Sequence, residues 1–475
     1  MYPALSLYID GQFLGSEGRA SEPVFDPASG EVLADLPHAS AADLDTAIDA
    51  ATRAFPAWKA MSAYERYRLL RRAADLLRDR KDHIARVMTR EQGKVLAEAA
   101  AEVATSADIL DWYAEEGRRA YGRVVPGRTA GTRQIVLMEP VGPCAAFTPW
   151  NFPALTPIRK IGGALGAGCT LILKAAEETP GTALELVRAL HDAGVPAGVV
   201  NLVFGVPAQV SEHLIAAKAI RKITFTGSTA VGKHLMKLAA DTAKRTTMEL
   251  GGNAPVIVFP DADLDKAVNT LGFFKFRNAG QVCVSPQRFF VHESLYDRFL
   301  DGFTEKAKAV KVGNGLAEGT GMGPLANPRR IEAMERVVAD AAARGAKVAA
   351  GGERIGNQGN FFQPTVLTDL ADDTLSLSQE IFGPVVPVVP FASTDEVLKR
   401  ANSVDMGLAS YAFTRSIDTA QMVSEALESG MVGINTLAIS TPETPFGGIK
   451  ESGHGSEGGI EGLQAYLNVK FVAQA

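Results

Sequence analysis

The stretch Gly142-Pro143-Cys144-Ala145-Ala146-Phe147-Thr148 opens a run, ending at Phe259, in which short apolar segments alternate with helical patterns. Cys144 to Thr148, Leu171 to Lys174, Val199 to Phe204, Ile223 to Thr226 and Pro255 to Phe259 read as strands. Short, continuously apolar strands are those covered on both faces, so the alternation predicts a parallel sheet with helices on either side. Helix punctuation agrees: Thr179-Pro180 sets a capping residue before a proline at the first helical position, and Gly194 and Pro196 stand past the other end. This part of the chain is predicted to be a doubly wound α/β domain.

Upstream, residues 40 to 120 are rich in Ala, Leu, Arg and Glu at helical spacing, as in Leu69, Leu70, Ala73, Leu76 and Leu77, and are expected to be structural helices flanking that sheet. After Glu249 a second alternating series runs to about Val432, with strands at Phe289 to Val291, Val385 to Pro390 and Tyr411 to Thr414, which predicts a second α/β domain. Gly122 to Met138, with a strand at Gln134 to Met138, and the terminal Tyr466 to Val472 fit neither domain. Unpaired, such a terminal strand would be an exposed edge that invites aggregation.

At 475 residues the chain exceeds one ordinary core, so two large domains and a smaller element are expected. A net charge of -6 without a basic block excludes a nucleic-acid partner, whose phosphates need clustered cations. No apolar run approaches the roughly 20 residues of a membrane span, and Met1 to Asp10 does not read as a signal peptide, so the expected location is the cytoplasm. Cys144, Cys169 and Cys283 are an odd set without metal-ligand spacing, and neither a disulfide nor a metal is expected. Cys144 and Cys169 read as buried strand cysteines acting as small hydrophobes.

The third cysteine ends Phe276-Arg277-Asn278-Ala279-Gly280-Gln281-Val282-Cys283, after a predicted helix and beside a glycine turn and two amides. A free thiol has a pKa of about 8.5 and needs a base or a favourable field to react at neutral pH. Glu249, in Met248-Glu249-Leu250-Gly251-Gly252-Asn253-Ala254-Pro255, lies between an apolar run and a double glycine, where a surface ion pair would suit it poorly. The two segments propose a thiol nucleophile and a general base. Asn151, between Pro149-Trp150 and Phe152-Pro153, offers an amide with little room to move; it serves either as a donor to a developing oxyanion or as an Asx turn. Gly227-Ser228-Thr229-Ala230-Val231-Gly232-Lys233-His234 nearly spells a nucleotide-triphosphate loop, but His234 replaces the magnesium-binding hydroxyl. With Gly227 and Gly232 bracketing a strand-to-helix turn, its bare N–H groups and helix dipole suit a dinucleotide pyrophosphate.

These segments, with Tyr8-Ile9-Asp10-Gly11, Phe147-Thr148-Pro149-Trp150-Asn151-Phe152-Pro153, Phe225-Thr226-Gly227-Ser228, Gln379-Glu380-Ile381-Phe382-Gly383-Pro384 and Pro445-Phe446-Gly447-Gly448, resemble the aldehyde dehydrogenase superfamily over essentially the whole length. The resemblance implies a Rossmann-like cofactor domain from residues 1–121 and 142–247, a catalytic domain from 248–435, and a β oligomerisation element from 122–141 and 456–475 that builds homodimers or homotetramers. It implies Cys283 as nucleophile, Asn151 as oxyanion donor and Glu249 as the base for cysteine or water, with water rather than coenzyme A taking the acyl group. Glu380 and Phe382 match the nicotinamide contacts, and Lys174 and Glu177 the adenosine-ribose contacts. Phe147, Thr148, Trp150, Gly205, Thr226, Ser228 and Leu250 fall along the same expected cleft. Ala175 departs from the proline usual after that lysine and is expected to loosen the turn while keeping the contact. Glu177 would accept the ribose hydroxyls and repel a 2'-phosphate, which favours NAD over NADP.

Within the superfamily the chain is most similar to the succinic semialdehyde and 2-oxoglutaric semialdehyde dehydrogenases. Arg159, Arg277 and Ser440 match the residues that grip a distal carboxylate in the former, a task suited to bidentate arginine; the other reading makes each arginine half of a structural ion pair. Glu116 to Arg123, Glu177 to Pro180 and Gly455 to Gly459 lean towards the 2-oxoglutaric branch, and Ser440 towards the succinic one. Ser285 stands where some members carry a second cysteine, so a disulfide switch with Cys283 is not expected.

Overall fold

The computed structural model describes residues 2–474. The first sheet contains β1 (Leu7–Ile9), β2 (Gln12–Leu14), β3 (Cys144–Phe147), β4 (Leu171–Lys174), β5 (Val200–Val203), β6 (Lys222–Thr226) and β7 (Arg245–Glu249) in the order β2-β1-β5-β4-β3-β6-β7, with Gly453–His454 added at the far edge. Strands β3 to β7 run parallel, and β3, β4 and β5 are wholly buried, which is why their sequences are mostly apolar, interrupted only by Lys174 at the end of β4 and Asn201 within β5. The order reverses between β3 and β6. Such a reversal opens a crevice at the carboxyl ends of the strands, the usual ligand position in a doubly wound sheet.

One predicted strand belongs elsewhere. Pro255 to Phe259 corresponds to β8 (Ala254–Val258), which lies at the middle of the second sheet between β9 (Pro286–His292) and a strand at residues 409–413, not in the first. Its expected place is taken by β7, whose sequence Arg245-Thr246-Thr247-Met248-Glu249 has no long apolar run because its outer neighbour is only the short Gly453–His454 bridge. Apolar patterning shows that a segment is a strand but not which strand it pairs with. Register sets Glu249 opposite Thr226 at the carboxyl end of the first sheet.

The second sheet adds β10 (Thr365–Thr368), β11 (Val385–Phe391), β12 (Ala409–Phe413) and β13 (Met431–Ile434) in the order β10-β11-β9-β8-β12-β13, all parallel, with Lys347–Ala350 antiparallel at one edge. A third sheet pairs Leu467–Gln474 with Arg133–Pro140, and the latter with Arg123–Pro126. Leu137, Val469 and Phe471 are exposed on it. Residues 456–466, expected with this element, behave differently: Glu457 is buried beneath the site and Gly459–Gln464 is a helix packed on the helix that begins after Asn151.

Two helices position the site. Helix α1 (Leu96–Gly117) belongs to the region expected to be purely structural, yet Glu98 and Glu102 on it reach the cavity wall. Helix α2 (Leu155–Ala167) starts just beyond Asn151 and is buried almost throughout. It seats this deeply because Gly162 and Gly166 leave room for Tyr113: an added Cβ would come within 2.6 Å of the Tyr113 ring and 2.7 Å of its carbonyl. Helices α3 (Thr229–Ala240) and α4 (Leu264–Phe276) follow β6 and β8. Cys144 heads β3, whereas Cys169 sits in the turn before β4 and not in a strand; both are fully buried. Among the described residues no helix is long and apolar enough to cross a membrane.

Candidate active site

A cavity of about 960 Å³ lies at the carboxyl ends of β3, β6 and β7, against the turn that precedes β9. Cys283, Glu249 and Asn151 all line it, as do Arg159, Arg277 and Ser440. Cys283 is reached through a strained turn. Asn278, Ala279 and Gly280 take φ of 49°, 52° and 71° in succession, left-handed geometry that costs a non-glycine residue about 1 kcal/mol or more. Gly280 is obligatory there, since a Cβ would stand 2.2 Å from the Gly383 carbonyl oxygen. Beyond it the Tyr411 hydroxyl donates to the Val284 carbonyl at 2.7 Å, and Gly252 presses so close that its Cβ would meet the Cys283 carbonyl oxygen at 2.8 Å. The backbone around Cys283 is clamped on both sides.

Burial dominates the electrostatics. It pushes the Cys283 thiol up to about 12, with the Glu380 and Glu249 carboxylates adding to the rise. Glu249 is 1% exposed, and neither of its oxygens has a hydrogen-bond partner. Burial first, then the nearby Glu457 carboxylate, hold it well above the ordinary carboxylate range, opposed by Lys160 and Arg159. A buried carboxyl without a partner is a rare arrangement that calls for an explanation beyond packing. Glu380 is likewise raised by burial to about 7, although the Gly252 N–H donates to it at 3.1 Å.

Neither arginine forms a salt bridge among the described residues, against the ion-pair reading. Arg159, 2% exposed, donates from Nη2 to Ser440 Oγ at 2.8 Å and lies 4.5 Å over the Phe446 ring, while Nε and Nη1 have no partner. Arg277 stacks against Phe274 and Phe152 at 5.4 and 5.7 Å, with Nε unpartnered. Buried guanidinium N–H groups without acceptors are costly unless something anionic meets them.

Of the expected cofactor residues, Trp150, Thr226, Gly227, Ser228, Leu250, Glu380 and Phe382 line the cavity. Phe382 has a left-handed φ of 50°, its carbonyl accepts from Arg330 at 2.9 Å, and its ring meets Trp150 edge-on at 5.6 Å. Phe147, Thr148, Lys174, Glu177, Gly205 and Gly232 do not line it. Phe147 and Lys174 end β3 and β4, Thr148 and Glu177 follow them and Gly205 follows β5, so these five stand along the same carboxyl edge. Lys174 and Glu177 form an ion pair, which survives the Ala175 departure. Gly232 corrects the expectation of a bracketing turn glycine: it lies one turn inside α3, where a Cβ would stand 2.3 Å from Leu250, so its role is packing. Lys233 pairs with Glu451, consistent with rejection of the triphosphate loop.

The fit to a dinucleotide can be judged from the chain itself. Helix α3 begins at the crevice without a side-chain cap, which leaves first-turn N–H groups for an anion, and the buried Thr148 hydroxyl lacks a partner. Sequence reading missed Lys94, Glu102, Lys160 and Glu457. Lys160 Nζ meets Glu457 and donates to Thr226 Oγ1 at 2.7 Å; Lys94 Nζ donates to Glu102 and to the Asn151 carbonyl. No local signal set them apart: Glu457 stands among glycines, and the other three read as ordinary charged positions on helices or turns.

The aldehyde dehydrogenase family model matches residues 13–472. A putative 4-(hydroxymethyl)benzenesulfonate dehydrogenase of Comamonas testosteroni is 47% identical over 99% of this chain and 98% of its own. The NADP(+) succinate-semialdehyde dehydrogenase of Escherichia coli is 45% identical over 98% of this chain and 96% of its own. A crystal structure of succinate-semialdehyde dehydrogenase from Burkholderia pseudomallei superposes with a TM-score of 0.97 at 45% identity, covering 99% of this chain and 98% of that one. With the doubly wound sheet, the half-buried Cys283 thiol and the unpartnered carboxyl already in place, this chain belongs to the aldehyde dehydrogenase family.

Proposed function

We propose that the protein oxidises a short semialdehyde bearing a distal carboxylate to the dicarboxylic acid, with NAD as the preferred acceptor. Succinic semialdehyde is the first choice of substrate and 2-oxoglutaric semialdehyde the second. The observation that carries this reading is the pair of guanidinium groups, Arg159 and Arg277: both residues line the same cavity as Cys283, and each keeps buried N–H groups without a partner. They supply what a carboxylate remote from the reacting carbon needs. Both enzymes compared above by sequence are named for substrates with an anionic group, a carboxylate in one and a sulfonate in the other.

Cys283 Sγ adds to the aldehyde carbon, and its proton leaves to a base in the cavity. The Asn151 side chain donates one amide hydrogen to the Gln281 carbonyl at 3.1 Å, which leaves its second hydrogen for the oxygen that becomes an alkoxide. The residues at the β3/β6 crevice, with Glu380 and Phe382, would hold an oxidised nicotinamide, which when bound would supply the hydride acceptor. The acyl group is left on Cys283 as a thioester. Glu249 takes a proton from water, the hydroxyl adds to the acyl carbon, and the thiol departs with the free acid as product.

Residues 1–121 and 142–247 are assigned to the cofactor, residues 248–435 to the nucleophile, and the exposed three-stranded sheet to pairing between subunits of a homodimer or homotetramer. For the cofactor preference the support is Glu177, whose carboxylate would repel a 2'-phosphate while its ion pair keeps Lys174 from serving one. A second reading, an aromatic aldehyde bearing a sulfonate, is favoured by the Phe152 and Phe446 rings on the cavity wall.

The deciding experiment compares kcat/KM for succinic semialdehyde, 2-oxoglutaric semialdehyde, a sulfonated benzaldehyde and butanal. A preference of roughly 100-fold for an anionic aldehyde, about 2.7 kcal/mol, is expected, and Arg159→Met or Arg277→Met should lose most of it. Equal rates with butanal would reduce both arginines to structural residues. Glu249→Gln should leave a stoichiometric NADH burst followed by turnover slowed about 100-fold. Because the basic form of Glu249 grows as pH rises through its raised pKa, wild-type deacylation should quicken with pH, and the variant should lack that limb; an unchanged steady rate would remove the base role. Glu177→Ser should raise the NADP over NAD ratio of kcat/KM by about tenfold by freeing Lys174, and an unaltered ratio would mean that this ion pair does not face the ribose.

A further inference from the structure

Asn151 is held by its main chain as much as by its side chain. Its carbonyl oxygen accepts from Lys94 Nζ at 2.8 Å and from Asn278 Nδ2 at 2.9 Å, both fully enclosed. The Lys94 ammonium, whose side chain is 1% exposed, also meets Glu102 Oε2 at 2.5 Å and lies 4.2 Å over the Phe152 ring. Glu102 uses its other oxygen at the far side of the same turn, where Oε1 accepts from the Ala154 N–H at 2.9 Å and the Leu155 N–H at 3.1 Å. Helix α2 has no cap from the residue before it, so a carboxylate on α1 does the capping. One ion pair thus grips both ends of residues 151–155.

Asn278 extends this grip to the nucleophile. The amide that donates to the Asn151 carbonyl also donates to the Gln281 carbonyl at 3.2 Å, the same oxygen that accepts from Asn151 Nδ2. Its own N–H is taken by Glu98 Oε2 at 2.9 Å and its Oδ1 by Gln92 Nε2 at 2.8 Å, which hold it in its left-handed conformation. The oxygen-holding amide and the thiol turn are therefore fixed to each other through side chains of residues 92 to 102.

A buried ion pair gives little net stability over an apolar pair of equal volume, because desolvation offsets the attraction. What it gives is fixed geometry, and a misplacement of about 1 Å at a reacting centre can cost on the order of 100-fold in rate. We propose that Lys94 and Glu102 are positioning residues for this reaction: their ion pair sets the Asn151–Leu155 turn, and through it the amide that receives the reacting oxygen, against Cys283. The inference rests on the reading of Asn151 as that amide.

The test uses the full-length enzyme and measures the NADH burst rate with saturating NAD and succinic semialdehyde, alongside NAD affinity and burst amplitude. Lys94→Met strands a buried carboxylate, so Lys94→Met/Glu102→Gln is made as well; it removes both charges together and leaves an amide oxygen for the α2 N–H groups. Each should slow the burst by about 10- to 100-fold with NAD affinity and amplitude retained. Repeated in an Asn151→Ala background, the same substitutions should cost less than about twofold more, since the group they position is gone. Burst rates like the wild type, or losses that simply multiply with Asn151→Ala, would overturn the positioning role alone. A wild-type burst in Asn151→Ala by itself would overturn the oxyanion reading and this inference with it.

Discussion

One backbone carbonyl, that of Asn151, is where three distant parts of the chain are made to agree. It belongs to the turn leaving β3, it accepts from Lys94 just before α1, and it accepts from Asn278 in the turn that leads to Cys283. A carbonyl has two lone pairs, and both are used here. The parallel sheet delivers the turn to the crevice between β3 and β6, the glycine-lined seat of α2 draws it inward, and the second sheet brings the thiol to meet it. That shared acceptor, together with the bond from the Asn151 side chain to the Gln281 carbonyl, ties the edges of the two sheets to each other beside Cys283.

The cavity is also a place where charge is made expensive. Glu249, Glu380 and Cys283 are all driven towards their neutral forms by burial, and the groups that oppose this are cations lying behind or beside them. Lys160, bound to Glu457 and to the Thr226 hydroxyl, is one; Arg159, with two unpartnered nitrogens, is another. Low dielectric strengthens each of these interactions and penalises each unmet one.

Much of the local structure was legible before any coordinates. Leu171 to Lys174 is a strand with the bounds read from its apolar run, and Thr179-Pro180 does open a helix. Cys283, Glu249 and Asn151, singled out as a thiol, a carboxyl in a poor setting for a surface ion pair and an amide that could equally have made an Asx turn, do share one cavity. The errors were of partnership: β8 was given to the wrong sheet, Gly232 was read as part of a turn when it packs against Leu250, and residues 456–466 were grouped with an exposed sheet when Glu457 lies buried against Lys160.

What the sequence alone determined is therefore what depends on spacing along the chain: periods that distinguish strand from helix, turns that need glycine or proline, and reactive groups isolated among apolar residues. What only the tertiary structure decided is which buried charges meet. Lys94 with Asn151, Glu102 with the start of α2, and Lys160 with Glu457 are contacts between residues far apart in the chain, and no local pattern distinguishes such a lysine or glutamate from one on a solvated helix face. Burying an ion is tolerable only when its partner arrives with it, so its role is fixed by the packing of the whole molecule.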